Sequence, residues 1–316
     1  MDQLMAIRGF ARVVEAGSFT RAADSLDMPN ATLSKQIQEL ESHLGVRLLQ
    51  RTTRRVTVTA EGRDYYEKTT RILRDLEDID TSFDAARVKP KGQLRVDVGG
   101  STARDVLVPA LPEFMARYPD IRIDLGVSDR SADLISDNID CVLRGGPLDS
   151  SSLVARHIGN ATLITCAAPA YLKQFGTPAY PEELKNGHRL VSYLSPQNGR
   201  AFPFRFERKG EKQDIKIDHR IGVNESNAHL AAAVAGLGIV QTFSYAARDA
   251  LESGALVEIL RPWRPAAYPF HVVYPQNRHV SQRLRVFIDW LLECLPARIA
   301  AAHMATQKTV TKTRKR

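Results

Sequence analysis

The chain has 316 residues, more than one ordinary core accommodates, so two or three domains are expected. With 43% hydrophobic, 25% charged and 7% aromatic residues it is neither a disordered chain nor a fibrous repeat. No apolar run approaches the roughly 20 residues of a bilayer span, and the opening MDQLMAIRGFARVVEAGSF carries Arg8 and Arg12 inside its apolar pattern, so a cytoplasmic protein without membrane contact is expected. The formal net charge of +8 is not spread evenly. Residues 1–90 hold 14 basic and 14 acidic side chains, 91–297 hold 24 and 22, and 298–316 hold 6 and 0. The ending KTVTKTRKR therefore reads as a solvated, disordered basic tail, and net charge by itself does not indicate DNA binding.

In chain order, Ile7, Phe10, Val13 and Val14 lie on one helical face, and Gly17 supplies a stop. Ser18 and Thr20 are N-cap candidates for a short second helix with a small-residue face of Ala22, Ala23 and Leu26, ending near Asp27. After Met28 and Pro29, a third helix begins near Asn30 or Ala31, carries the stripe Leu33, Ile37, Leu40 and Leu44, and closes at Gly45. The stripe leaves Asn30, Thr32, Ser34, Lys35, Gln36 and Gln38 outward, which is the helix-turn-helix plan. Small polar residues and a lysine at a helix N-terminus reach base edges and phosphates, whereas a merely solvated face more often alternates Glu and Lys. On periodicity alone a plain helical subdomain is the alternative. In RLLQRTTRRVTVT two β-prone stretches flank a polar corner, and Arg47, Arg51, Arg54 and Arg55 occur with no acid among them. Such a basic wing lays arginines on phosphates and supplies affinity and register.

From Thr59 a helix is predicted to run to about Ala86. Tyr65, Thr69, Ile72, Leu76, Ile79, Phe83 and Ala86 alternate spacings of 4 and 3 along it, a narrow seam that implies a partner helix and a dimer. The acidic run Asp75, Glu77, Asp78 and Asp80 is expected to face solvent, and VKPKGQ reads as a linker.

Beyond the linker, strands and helices alternate. QLRVDVG and IRIDLGV read as strands around a helical Val106–Tyr118, and a helical Ser131–Asn138 precedes the strand CVLRGG. The alternation resumes at VARHIGNATLITCAA and NAHLAAAVAGLGIVQTF, then the strand YPFHVVYP and the amphipathic RLRVFIDWLLECL. The expected class is α/β, a mostly parallel sheet covered by helices, in two lobes. Ligands bind such sheets beyond the carboxyl ends of strands, where helix N-termini favour anions. Three loops qualify: Gly99-Gly100-Ser101-Thr102, Ser128, and Asn224 to Asn227 with Glu225 and Ser226 between. Ordinary helix capping explains the same residues. Arg144 offers charge to a carboxylate ligand or pairs with a nearby acid.

Enzyme readings are weak. GxxxxGK[ST], a strand-borne GxGxxG, HExxH and GxSxG are all missing, and Gly236-Leu237-Gly238 fits close packing of helix against strand. The eight histidines show no metal-ligand spacing, and no cofactor is expected. Cys141, Cys166 and Cys294 are widely spaced, which suits a reducing compartment; a redox switch between Cys141 and Cys166 is a minor alternative.

The stretch GSFTRAADSLDMPNATLSKQIQELESHLGVRLLQRTTRRVTVTAEGRDYY resembles the N-terminal domain of LysR-type transcriptional regulators, with matching spacing from Ala22-Ala23 through Leu33-Ser34, Leu44-Gly45 and Arg51 to Thr59 and Gly62. The resemblance extends more loosely over nearly the whole chain and implies a winged helix-turn-helix, a long dimerisation helix and a two-lobed, periplasmic-binding-protein-like effector domain. The implied boundaries are 1–58 for DNA binding, 59–90 for the linker helix and hinge, 91–297 for the effector domain and 298–316 for the tail. Within the effector domain, 91–163 with 269–297 would form one lobe and 164–268 the other. The resemblance carries DNA contact to Asn30, Ala31, Ser34 and Lys35, with Thr32 and Gln38 as neighbours and Arg51 in the wing. Pro29 stands where Ser is usual in the family, Ala31 where Pro is frequent and Lys35 where Arg is commoner, which puts the sequence preference in doubt. It also carries Ser101, Thr102 and Ser128, with Asn224 and Asn227 less securely, to the cleft between the lobes, where a small anionic metabolite is expected. Partners would be double-stranded DNA with a dyad operator, a second and a further pair of chains, and RNA polymerase. A solute-binding protein, which the second half alone would suggest, has no use for the first 90 residues.

Overall fold

The computed structural model describes residues 1–51, 56–83, 89–130, 134, 137, 139–146, 153–216, 219–276 and 280–300, apart from the side chains of 51, 74, 75 and 77–83. The chain divides into two compact units, Met1–Val88 and Lys89–Arg316.

In the first unit, α1 (Gln3–Ala16) starts at Asp2, whose carboxylate accepts the Met5 N–H, and stops at Gly17 in the left-handed region. Ser18 caps α2 (Phe19–Ser25), and α3 (Asn30–Leu44) ends at a left-handed Gly45. A two-stranded wing, β1 (Leu49–Arg51) and β2 (Val56–Val58), pairs antiparallel, and α4 (Ala60–Phe83) follows. Phe10, Val13, Ala22, Leu33, Ile37, Leu40 and Leu48 are buried together as one core.

The expected seam of α4 is corrected at its start. Tyr65 packs against this core with its ring 5.8 Å from that of Phe10, Leu73 joins the same cluster, and Thr69 is buried. Ile72 is exposed and Leu76 half-buried. The side chains of Ile79 and Phe83, the acidic run and the whole of Ala86 lie outside what is described. The early seam thus serves the unit's own core, because a helix of this length has room for one face toward its domain and another beyond it.

The second unit contains, in order, β3 (Gly92–Val98), α5 (Gly100–Thr102), α6 (Leu111–Arg117), β4 (Ile121–Val127), β5 (Cys141–Gly145), β6 (Leu153–Ala161), β7 (Leu163–Ala167), α7 (Pro169–Phe175), β8 (Val191–Tyr193), β9 (Phe204–Arg208), β10 (Glu211–Ile215), β11 (Ile221–Val223), α8 (Ser226–Val234), β12 (Val240–Phe243), α9 (Arg248–Glu252), β13 (Val257–Ile259), β14 (Tyr268–Pro275) and α10 (Gln282–Ala300). The helix expected over Val106–Tyr118 is broken: a wide π-helical turn at Ala103–Leu107 continues α5, and α6 begins after it, with Pro112 in its first turn. Of the helix expected over Ser131–Asn138 only Leu134 and Asp137 are described, both in turns. Helix α10 reaches Ala300, with Ile299 buried, so the first three residues assigned to the tail are helical; 301–316 lie outside the described residues.

The sheets are mixed, not mostly parallel. The first has the order β4-β3-β5-β14-β6, with β4, β3 and β5 parallel and the β14 pairings antiparallel. The second repeats the plan. β11 and β8 are parallel, a parallel bridge Leu190↔Ile239 joins β8 to the β12 edge, and β12, β7 and β13 are antiparallel. The chain crosses between the sheets at Thr162, from β6 to β7, and again between β13 and β14. Each sheet has its own core, one around Phe114, Phe287 and Trp290, the other around Ile164, Tyr171, Leu184 and Phe206. Among the described residues no helix is long and apolar enough to cross a membrane.

Candidate nucleic-acid interface and interlobe seam

Helix α3 is amphipathic in the required sense. Leu33, Ile37 and Leu40 are wholly buried, while Asn30, Ala31, Thr32, Lys35 and Gln38 are exposed and Ser34 is half-buried. A Cβ on Gly9 would stand 2.6 Å from Leu33 Cδ1, so α1 crosses α3 at close range, and this crossing holds the outer face of α3 in place. The Asn30 amide donates to Thr20 Oγ1 at 3.5 Å, tying the start of α3 to α2.

Two residues that periodicity does not reveal attach the wing. Glu41 accepts the N–H groups of Leu48 and Leu49 at 2.8 and 3.0 Å. Thr59 donates to Arg47 O and accepts the Gly62 N–H, both at 2.8 Å, so the N-cap of α4 also clasps β1. Gly62 admits no side chain, since a Cβ would lie 2.1 Å from Leu48 O. Arg51 stands on β1 with its side chain outside the description, and Arg54 and Arg55 lie outside the described residues.

In the second unit the predicted ligand residues divide. Ser101 and Thr102 are buried and face the other lobe: the Ser101 N–H donates to Ser226 Oγ at 2.8 Å, and Thr102 Oγ1 is 2.9 Å from the Tyr245 hydroxyl. Ser128 makes a local turn, its Oγ accepting the Arg130 N–H at 3.1 Å. Arg144 is spent within its own lobe. Its guanidinium donates to Asp97 at 2.6 Å and to the carbonyls of Ser128 and Arg130 at 2.9 and 2.5 Å. Burial raises the pKa of Asp97, against the pull of Arg144. Asn224 is exposed; Asn227 donates its amide to Glu225, and its buried Oδ1 has no partner among the described residues.

The centre of the seam is a carboxylate the sequence did not single out. Asp129 accepts the N–H of Gly100, at the start of α5, at 2.8 Å, and the N–H of Ser226, at the start of α8, at 2.5 Å. Burial, together with the nearby Asp129 carboxylate, raises the Tyr193 phenol pKa far above its ordinary value. Glu225 caps α8 through the N–H groups of Asn227 and Ala228 at 2.9 and 2.8 Å. Both helix starts that would receive an anion thus hold the chain's own carboxylates. Contact is close: a Cβ on Gly100 would lie 2.5 Å from Glu225 Oε1.

Cys141 is buried in the first lobe's core and Cys166 in the second's, both unpaired. Burial raises both thiols, Cys166 to about 12, so neither supplies the thiolate a redox pair requires. Among the described residues no group of three His, Cys, Asp or Glu side chains is arranged to hold a metal.

Comparison with known proteins agrees with this division. The family model for the bacterial regulatory helix-turn-helix protein, lysR family, matches residues 4–63, and that for the LysR substrate binding domain matches 87–296. The chain is 38% identical over 291 residues to the uncharacterized HTH-type transcriptional regulator YhjC of Escherichia coli, covering 92% of this chain and 97% of that one. It is 39% identical over 293 residues to an HTH-type transcriptional repressor of Pseudomonas aeruginosa, covering 93% and 92%. Among solved structures it is similar to CrgA, a LysR-type transcriptional regulator from Neisseria meningitidis, at TM-score 0.59 and 34% identity over 93% of this chain and 98% of that one. It is also similar to the full-length Vibrio cholerae virulence activator AphB, at TM-score 0.58 and 30% identity over 92% and 99%. With a helix-turn-helix, a two-lobed α/β unit and relatives of this identity matched over nearly all their length, the chain belongs to the LysR family of transcriptional regulators and is not an enzyme.

Proposed function

We propose that the chain acts as a homodimer, paired further into a tetramer, that reads a dyad operator through α3 and changes its DNA geometry when a small anionic metabolite enters between the lobes. Asn30, Ala31, Thr32, Ser34, Lys35 and Gln38 meet base edges and nearby phosphates, Arg51, Arg54 and Arg55 anchor the wing on the backbone, and α4 beyond Thr69 pairs with its counterpart. The observation that carries the DNA reading is the solvent-facing polar row of α3 set on a stripe of wholly buried leucine and isoleucine.

The ligand reading rests on Asp129. A carboxylate bridging N–H groups of both lobes marks a place where a ligand carboxylate fits once Asp129 withdraws. Ser101, Thr102 and Ser128 surround that place, Asn224 and Asn227 flank it, and Arg144 contributes only by giving up Asp97. Exchange of Asp129 for the metabolite changes how the lobes close, which shifts the separation of paired helix-turn-helix units and contact with RNA polymerase.

The test is selection of genomic fragments by the full-length protein at roughly physiological salt, where non-specific binding is weak, beside a Ser34→Ala, Lys35→Ala variant. A dyad site recovered by the protein and lost in the variant is expected. A folded dimer that enriches the same fragments with and without these two side chains would overturn the assignment of α3 as reader.

A further inference from the structure

We infer that the second lobe carries a ligand site of its own, apart from the interlobe seam, for a small carboxylate with a flat or branched apolar body. A cavity of about 390 Å³ lies between β8 and the β9–β10 hairpin. Its floor is Leu190, Phe204 and Ile215, each at most 4% exposed, and Ser192, 2% exposed, adds a hydroxyl to that floor. Lys216 and His219, both exposed, line the mouth. An apolar floor with few polar groups and a basic mouth selects by combination: a polar ion gains nothing from the floor, and a neutral hydrocarbon leaves the ammonium unused. A carboxylate on an apolar body uses both, with Ser192 available to orient it.

The strand geometry keeps this site separate from the seam. Successive side chains of a strand point to opposite faces, and on β8 Tyr193 reaches Asp129 at the seam while Ser192 lines the cavity. Phe202 links the two. It forms part of the cavity wall, its ring stacks on Tyr193 at 6.2 Å with 25° between the planes, and its N–H donates to Tyr193 O at 2.9 Å. An occupant that displaces Phe202 therefore acts on Tyr193, which lies near Asp129, and this makes the cavity a second input to the lobes' closure.

The experiment is calorimetric titration of the full-length protein with 1-naphthoate, and with neutral 1-naphthamide as the uncharged counterpart. Saturable binding of one naphthoate per chain is expected, about three- to five-fold tighter than the amide, the range of a partly exposed charge pair. Ala201→Trp, at the exposed mouth, should abolish it, and Lys216→Gln should reduce naphthoate to the affinity of the amide. Absence of saturable binding would overturn the site, as would full binding by an Ala201→Trp chain with an unchanged circular dichroism spectrum. Should Ala201→Trp not fold, undiminished preference for naphthoate in Lys216→Gln overturns it equally. Binding tightened in Asp129→Ala and kept in both cavity variants would place the ligand in the seam, against this site and in favour of the seam as a carboxylate receptor.

Discussion

The two lobes share one sheet plan and differ in how the sheet is covered. In the first, α10 lays a long apolar face on the strands and α6 adds Phe114, whose ring centroid is 5.1 Å from Phe287 and 5.0 Å from Trp290. In the second, part of the cover is the β9–β10 hairpin, turned tightly at Lys209 and Gly210, both at positive φ. A strand offers the core only every second side chain, so this hairpin contributes Phe204, Phe206 and Ile215 and leaves a hollow beside them. A helix of similar length presents a wider stripe and closes the space. The same topology thus carries a long helix over one sheet and, over the other, a hairpin with a cavity beside it.

The strongest test of that contrast is truncation of a ring in each lobe. Phe114→Ala should cost about 3–5 kcal/mol, the range for a fully packed aromatic, whereas Phe204→Ala should cost about 2 kcal/mol less because its ring already borders empty space. Both are measured by urea unfolding of the full chain, and equal losses would erase the distinction. A smaller effect is expected at the seam. Asp129→Ala leaves the N–H groups of Gly100 and Ser226 without their acceptor and should cost about 1–3 kcal/mol, with faster hydrogen exchange at those two amides. Unchanged exchange would mean that the lobes do not depend on this carboxylate.

The smallest effect separates the lobes by pH. His229, buried in the second lobe, donates its Nε2–H to Val191 O over 2.9 Å, and burial lowers its pKa below the ordinary 6.5 despite that carbonyl. The unfolded chain therefore binds a proton before the folded one does as pH falls. This contribution is present above about pH 6.5 and is lost on acidification below it. His229→Gln should flatten the fall in urea midpoint between about pH 7.5 and about pH 5.5. An unaltered slope in the variant would assign the acid sensitivity elsewhere, with His271 of the first lobe, also lowered by burial, the next to replace.

Much of the DNA-facing unit was legible because its signals are local. Leu33, Ile37 and Leu40 are spaced for one helical face, and burying them leaves Asn30, Thr32, Lys35 and Gln38 outside. The seam of α4 was legible as a pattern but not in its partner. A row with alternating spacing fits any apolar surface, and Tyr65 found its partner in Phe10 and its neighbours. The ligand side was harder. Ser101 and Thr102 are buried in the turn that follows β3, as their place after a strand suggests, yet Arg144 proved committed to Asp97, and Asp129 acts on Ser226, 97 positions away. The β9–β10 hairpin escaped notice because FRFERKGEKQDIKI is mostly polar, its inward residues being few.

By itself the sequence determined the helix-turn-helix, the wing hairpin, the alternation of strands and helices in the second half and the family, because each follows from residue periodicity, turn chemistry and matched spacing within short stretches. Only the tertiary structure decided which carboxylate bridges the lobes, that Arg144 is committed to Asp97, which face of α4 is already taken and where the second lobe is hollow. Those outcomes depend on distance between residues remote in the chain and on whether opposing side chains fill the space between them, and neither quantity exists until the chain has folded.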